Sequence, residues 1–467
     1  MEPDKYGFTL EWLHSCLEAN LVSGYERWRD QIGKALEVWD ITFATRLLVE
    51  LKRLALDDQG QAYLRMGQAG LLIKKHEWQS AKNKLSVADS LFAKTDDYVG
   101  HSWVLLTLGG LTADMGEWDE SIVYQERAAE LYRLAKDDYG RAQALQNLGA
   151  VYYAQSNWAK ATEAYRESLD IFIESGDSLS AAMSLSGLGD ILTEISEYSQ
   201  AIECYEASLS IFDEAENTSG QIAVHNNIGR AYDGCREIEK AIQHYDHSLV
   251  LAKGIGDLRS QAIALDNLGV SQNTQKNFEL SYELHRRALT IYQELGDIPG
   301  SSTSLNHLGV VSKNLKRYPE AEKYLVSSQT IKENLADRRG LASVLVNRAI
   351  LYATQERWEE MARLTQKVFE LAQDISYGYP AAVSYYLNGL QSIAKDQADE
   401  AAREFSNALI LAERQNENVQ SELASLVATT LTNTYKRGGD AKRILEQLKQ
   451  RLKDKGINTY LGDFPFS

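Results

Sequence analysis

The stretch "HYDH" sets His244 and His247 one helical turn apart, with His225 and Cys235 nearby in the chain and Cys204 somewhat earlier. Imidazole nitrogens and thiolates are the donors zinc prefers, and three of these five side chains would make a site with one open position. A second set points to recognition. Asn147, Asn227, Asn267 and Asn347 stand 40 or 80 residues apart, and each amide carries both donors and an acceptor. Such a row can pair with the N–H and C=O groups of an extended peptide whatever its side chains. Catalysis has no comparable signature: GxSxG, HExxH and GxxxxGK[ST] do not occur. An enzyme is therefore not expected.

The elements that position these residues come from a repeat. "ALQNLGAVYYAQSNWAKATEAYRESLDIFIESGD" (144–177) returns as "ALDNLGVSQNTQKNFELSYELHRRALTIYQELGD" (264–297) and, more loosely, over 184–217. The period is 40 residues from about 60 to 419. One column holds Trp78, Trp118, Trp158, Tyr198, Ile238, Phe278, Tyr318 and Trp358, and another holds Gly109, Gly149, Gly189, Gly229, Gly269, Gly309, Ala349 and Gly389. Ala81, Ser121, Ala161, Ala201, Ala241, Ser281, Ala321, Met361 and Ala401 form a third, and Leu91, Leu131, Ile171 and Ile211 begin a fourth. Within a unit, Leu145, Leu148 and Tyr152, then Ala161, Tyr165 and Leu169, fall at helical spacing.

Two helices per unit follow, with bends at "QSNW" and "ESGD". The small residues allow close helix approach, and Trp158 is expected to fill the wedge between helices. On that reading Trp158→Ala would cost about 3–5 kcal/mol through cavity formation. Asp137, Asp177, Asp257, Asp297 and Asp337 precede first helices, where a carboxylate can accept free N–H groups. Pro319 and Pro380 fall near helix starts, where a missing donor is harmless.

The repeat also weighs against zinc at "HYDH". His225 occupies the column of Leu145, Leu185 and Leu265, and His244 that of Ala164, Cys204 and Leu284. Both are packing positions, so no metal and no cofactor is expected. The three cysteines have no CxxC spacing and write no disulfide framework. The net charge of −17 opposes a phosphate backbone, which argues against nucleic acid as a partner. The N-terminus lacks a basic segment followed by an apolar core, and no apolar run is long enough to span a bilayer. A cytoplasmic location without membrane contact is the expectation.

Leu148, Gly149, Tyr152, Ala161, Tyr165 and Leu169 resemble the tetratricopeptide repeat (TPR) pattern in identity and spacing. That family's basic unit has about 34 residues. The longer unit here is similar to the branch containing Pins-type adaptors, kinesin light chains and bacterial Rap and signalling proteins. The resemblance implies an all-α fold, a right-handed α-solenoid superhelix of about ten to eleven helix-turn-helix units. The expected organisation is a capping helix over 1–19, a divergent first unit over 20–59, nine units over 60–419, a divergent last unit with a capping helix over 420–459, and a tail over 460–467. The N-terminal cap should place Trp12 and Leu17 against the first unit, and Leu445, Leu448 and Leu452 should cover the far end.

In this family the first helices line the concave side, where asparagines clasp peptide backbones. That use is carried to Asn147, Asn227, Asn267 and Asn347, with Gly187 and His307 as departures. Their neighbours complete the candidate groove: Gln143, Asp190, Glu194, Asn226, Arg230, Asp233, Asp266, Asn273, Asn306, Lys313 and Asn314. The central acidic residues favour a basic or amphipathic segment of another protein. Tyr63, Met66, Trp103 and Leu106 near one end, and Val383, Tyr386, Leu387 and Leu390 near the other, either offer apolar patches or are buried by curvature and caps. The leading expectation is a non-enzymatic scaffold. A ligand-responsive regulator of a separate effector protease, ATPase or nuclease is the alternative, and pairing of two copies through the apolar ends is a third reading.

Overall fold

The computed structural model describes residues 7–38, 40–375, 378–413 and 417–457. The expected tail over 460–467 and the first six residues of the N-terminal cap lie outside them. Every regular element among the described residues is a helix. The chain opens with α1 (Gly7–Ala19), α2 (Leu21–Glu37) and α3 (Ile41–Lys52). Then come α4 (Asp58–Lys74) and α5 (Trp78–Phe92), α6 (Tyr98–Asp114) and α7 (Trp118–Ala135), α8 (Asp138–Ala154) and α9 (Trp158–Ser175), and α10 (Ser178–Glu194) and α11 (Tyr198–Glu214). The same pairing continues with α12 (Thr218–Gly234) and α13 (Ile238–Gly254), α14 (Leu258–Thr274) and α15 (Phe278–Glu294), and α16 (Ile298–Asn314) and α17 (Tyr318–Asn334). It ends with α18 (Arg338–Thr354) and α19 (Trp358–Ile375), α20 (Gly378–Ala394) and α21 (Ala398–Glu413), and α22 (Glu417–Lys436) and α23 (Ala441–Asp454). Two compact units emerge, one of residues 1–192 with 200–215, the other of 193–199 with 216–467. Within each, a helix packs on the next in sequence and first helices of neighbouring pairs touch, the arrangement of an α-solenoid.

Local chemistry starts and stops each helix. Asp57, Asp97, Asp137, Asp177, Asp257, Asp297, Asp337 and Asn217 each accept the backbone N–H three residues on, at 2.7 to 3.1 Å. That bond satisfies one of the free donors of a helix start. The turn inside each pair closes through one left-handed residue, recurring at His76, Gly116, Ser156, Ser196, Arg236, Lys276, Lys316, Glu356 and Asp396. At the "QSNW" bend, Asn157 N–H reaches the Tyr152 carbonyl and Ser156 N–H that of Tyr153, both at 2.8 Å. This 6→1 closure ends the helix without needing glycine at each copy. Pro319 falls in the first turn of α17, where it breaks no ladder bond.

Packing follows the columns. Every residue from Ala81 to Ala401 in the small-residue column is fully buried. Ser121 and Ser281, which replace alanine there, donate to the Gly109 and Gly269 carbonyls at 2.7 and 2.6 Å. The glycine column faces a residue sixteen positions on. A Cβ at Gly149 or Gly189 would fall within 3 Å of the Tyr165 or Tyr205 ring, and one at Gly229 would meet Tyr245. Ala349 stands where the others have glycine, and its partner position carries the smaller Thr365.

Two expectations need correction. Trp158 is half-buried, tilted against the Tyr153 ring at 5.4 Å, and Trp118 is exposed. This column opens the second helix at the rim of the turn, so the large truncation penalty expected for Trp158 belongs elsewhere. It belongs to the column of Phe92, Tyr132, Phe172 and Phe212, which is buried where one pair meets the next. Trp12 is 38% exposed, with the Arg27 guanidinium over its ring; Leu10, Leu13 and Leu17 form the buried face of α1 instead. Of the terminal apolar residues, Tyr63, Met66, Val383 and Leu387 are buried, whereas Trp103 stays exposed. At the far end α23 packs on α21 and buries Leu445, Leu448 and Leu452.

Candidate functional site

First helices carry all the candidate groove residues. Gln143 and Asn147 are half-buried on α8, and no described residue hydrogen-bonds the Asn147 amide. Asp190 on α10 accepts the Tyr205 hydroxyl at 2.7 Å, and Glu194 is exposed at the end of that helix. On α12, Asn227 and Arg230 are half-buried and Asn226 is buried. The Asn227 amide, like that of Asn147, has no hydrogen-bond partner among the described residues.

The remaining asparagines bond chiefly to one another. Asn314 Nδ2 donates to Asn273 Oδ1 at 2.8 Å, Asn347 to Asn306 at 3.0 Å, and Asn267 to Asn226 at 3.5 Å. Each pair is 41 residues apart, so these amides tie a first helix to the first helix of the next pair. Asn226 further donates to Ser248 Oγ at 2.7 Å. The ladder therefore has a structural use inside the second unit that the column pattern did not reveal.

The acidic centre is also largely engaged. Asp233 accepts from the Tyr245 hydroxyl at 2.9 Å and from Ser271 at 3.0 Å, and burial pushes its carboxyl above the ordinary range. Asp266 is buried, accepting from His285 Nδ1 at 2.8 Å and Ser304 Oγ at 2.6 Å. Burial opposes its ionisation, but the hydrogen bond from His285 and the nearby His307 imidazole hold its carboxyl below the usual value. His285 is itself buried, which pushes its imidazole toward the neutral form. Burial likewise lowers the Lys313 ammonium. Asp266 and Asp233, engaged by their neighbours, therefore present little free charge to a basic ligand.

The histidines of "HYDH" pack as a cluster. His225 and His244 share an Nδ1–Nδ1 contact of 3.0 Å, one donating and one accepting, while the His247 ring stacks on His225 at 5.4 Å. Burial and the neighbouring imidazoles push His244 down to about 4 from 6.5. Its folded value lies below the unfolded one, so the unfolded chain binds the proton more tightly. Stability should then be full above pH 6.5 and fall as the pH drops toward 4, by up to about 3 kcal/mol from the shift alone and by about 2 kcal/mol once solvent screening of this half-buried ring is allowed for. Melting temperatures across that window should drop less in His244→Leu, leucine being the residue of this column at 284. An equal drop in both proteins would remove His244 from the effect.

Sequence reasoning missed His285. It sits in the column of Tyr165, Tyr205 and Tyr245 and reads as one more core ring. The available signal was its spacing of 19 residues from Asp266, the same as between His225 and His244. Cavities not foreseen also occur. One of 190 Å³ between α2, α4 and α6 is lined by Met66, Gly70, Ile73 and Trp103, and one of 340 Å³ includes Tyr379, Tyr386, Leu390 and Leu426. A polar cleft of 760 Å³ is bordered by Thr365, Asn388, Lys395, Glu404 and Arg443.

No curated protein matches the chain. Among solved structures, Rap protein complexed with competence and sporulation factor aligns with a TM-score of 0.58 at 12% identity, over 76% of this chain and 99% of that one. The apo form of the quorum sensor NprR from B. thuringiensis aligns at 0.57 and 18% identity, over 75% and 99%. Aspartyl phosphate phosphatase F from Bacillus subtilis aligns at 0.52 and 14%, over 75% and 94%. At these identities the likeness is one of fold. The tetratricopeptide repeat family model matches residues 101–174, 155–214 and 178–254. The helix pair it describes over residues 101–254 continues in the same register from Asp58 to Glu413, so the chain carries tetratricopeptide repeats over the matched residues and the same helical arrangement beyond them.

Proposed function

We propose that this protein is a non-enzymatic scaffold, nine repeat units over 60–419 flanked by divergent ends, that binds a peptide or protein segment along its first helices. The observation that carries the reading is the half-buried amide of Asn227 on α12, which has no hydrogen-bond partner among the described residues; Asn147 on α8, in the other unit, is in the same state. A polar group placed where water is partly excluded and no internal partner exists is suited to an incoming backbone N–H or C=O. Apolar side chains around the 190 and 340 Å³ cavities add anchor points within their own units. No described helix is long and apolar enough to cross a membrane, and the reading places the protein in the cytoplasm.

Capture of partners from native cytosol tests this. The wild-type chain should retain a protein that the Asn227→Ala/Arg230→Ala/Asn267→Ala variant loses by tenfold or more, with both showing the same helical circular dichroism. Identical partners on both would move recognition to the second helices or the ends. A second reading is a ligand-responsive regulator acting on a separate effector. It is supported by the fold likeness to a Rap protein bound to a factor and to a quorum sensor. A captured effector enzyme whose activity changes on binding would favour it over simple scaffolding.

A further inference from the structure

We propose that Asp266, His285 and His307 form a binding site for a divalent transition metal ion of the zinc class. The three side chains come from consecutive helices α14, α15 and α16, all in the second compact unit. Asp266 Oδ1 lies 2.8 Å from His285 Nδ1 and 3.9 Å from His307 Nδ1, and one ligating atom from each residue falls within 4.8 Å of the others. A tetrahedral zinc ion with bonds of about 2.0–2.2 Å needs donors about 3.4 Å apart. The observed separations bracket that value, so side-chain adjustments suffice.

Hydrogen bonding among the residues accounts for part of the cluster only. Asp266, His285 and Ser304 satisfy one another, but His307 Nδ1 is buried with no hydrogen-bond partner among the described residues. That nitrogen stands nearest the same carboxylate oxygen that His285 uses. The second oxygen of Asp266 is held by Ser304 at 2.6 Å, the outer hydrogen bond that typically orients a metal-binding carboxylate. Binding would replace the proton that His285 Nδ1 now donates to Asp266 Oδ1, releasing it to solvent.

The repeat supplies an independent argument. In the nearest repeats the column of Asp266 holds Gln146, Ser186, Asn226 and Asn306, with Leu106, Val346 and Tyr386 further out; that of His285 holds Tyr165, Tyr205, Tyr245 and Leu325, with Gln125, Thr365 and Phe405 further out; that of His307 holds mostly asparagine. Three columns change to metal-ligating types, and they change where the fold brings them together. The His307 side chain is 27% exposed, so the ion would enter from the first-helix side and keep a fourth position for water or for a donor atom of a bound molecule. In the His225, His244 and His247 cluster, His247 Nδ1 is turned to the Gln243 carbonyl at 2.7 Å, and His247 serves as an internal control.

The full chain, stripped with a chelator, is titrated with Zn²⁺ by calorimetry and with Co²⁺ by visible absorption. The expected result is one saturable site of micromolar or tighter affinity, with the intense d–d bands of a tetrahedral cobalt ion. His307→Asn and Asp266→Asn place in these columns the residue other repeats carry there, so both variants should fold. Each should weaken Zn²⁺ binding at least tenfold and lose the cobalt bands, while His247→Ala should bind as wild type does. Absence of a saturable site, or unchanged affinity in His307→Asn, would overturn the assignment. So would loss of binding in His247→Ala. None of these outcomes depends on whether the first helices bind a protein partner.

Discussion

Phe172→Ala should lower stability by about 3–5 kcal/mol, and the loss should be local. The Phe172 side chain is fully buried against Ala142 and Ala181, with the Tyr139 ring edge-on at 5.7 Å. These contacts come from α8 on one side and α10 on the other, so this ring fills the junction between two repeats. Neighbouring helices held by their own cores cannot collapse into the space it leaves. A solenoid's stability is close to a sum of unit and junction terms. Hydrogen exchange should therefore accelerate in α8, α9 and α10 while α14 to α19 keep their wild-type protection. Acceleration spread evenly over all helices would show a single cooperative core and contradict the prediction.

The second large effect is expected from Gly229 and Tyr245. A Cβ at Gly229 would lie 2.5 Å from the Tyr245 ring. That ring is buried and its hydroxyl is tied to Asp233, so it has no room to swing aside. Gly229→Ala should cost about 1–3 kcal/mol by overpacking, and Tyr245→Thr about 3–5 kcal/mol by leaving a void. Combined, they recreate the Ala349 and Thr365 pairing already present in the chain. The double variant should be more stable than the sum of the two losses implies, with a coupling of at least about 1 kcal/mol. Chemical denaturation of the four proteins measures it, and strict additivity would mean that the two positions do not compensate.

Much of this was legible because a repeat records each packing position many times. The glycine and small-residue columns, the aspartate caps and the two bends all follow from single-letter patterns with local causes. What was not legible depends on how one helix is rotated and shifted against the next. The column at Trp158 shows that an aromatic is wanted, but not that it stands at a half-exposed rim. Leu13 rather than Trp12 faces the core, a choice set by how α1 packs on α2 and not by its own apolar letters. The 41-residue offset that lets Asn314 reach Asn273 arises from the stagger of adjacent first helices, one residue beyond the sequence period. The same stagger brings His307 toward Asp266, where His285, disguised as a core ring, joins them from the second helix. The candidate residues all fall on first helices, while their division between internal bonding and availability is visible only in three dimensions.

The measurement that bears most directly on recognition by the first helices is hydrogen exchange of the wild-type chain with and without its captured partner. Added protection in residues 218–234, 258–274 and 298–314, with residues 238–254 and 278–294 unchanged, is the expected result. Protection concentrated on those second helices, or confined to the terminal helices, would contradict recognition along the first-helix face.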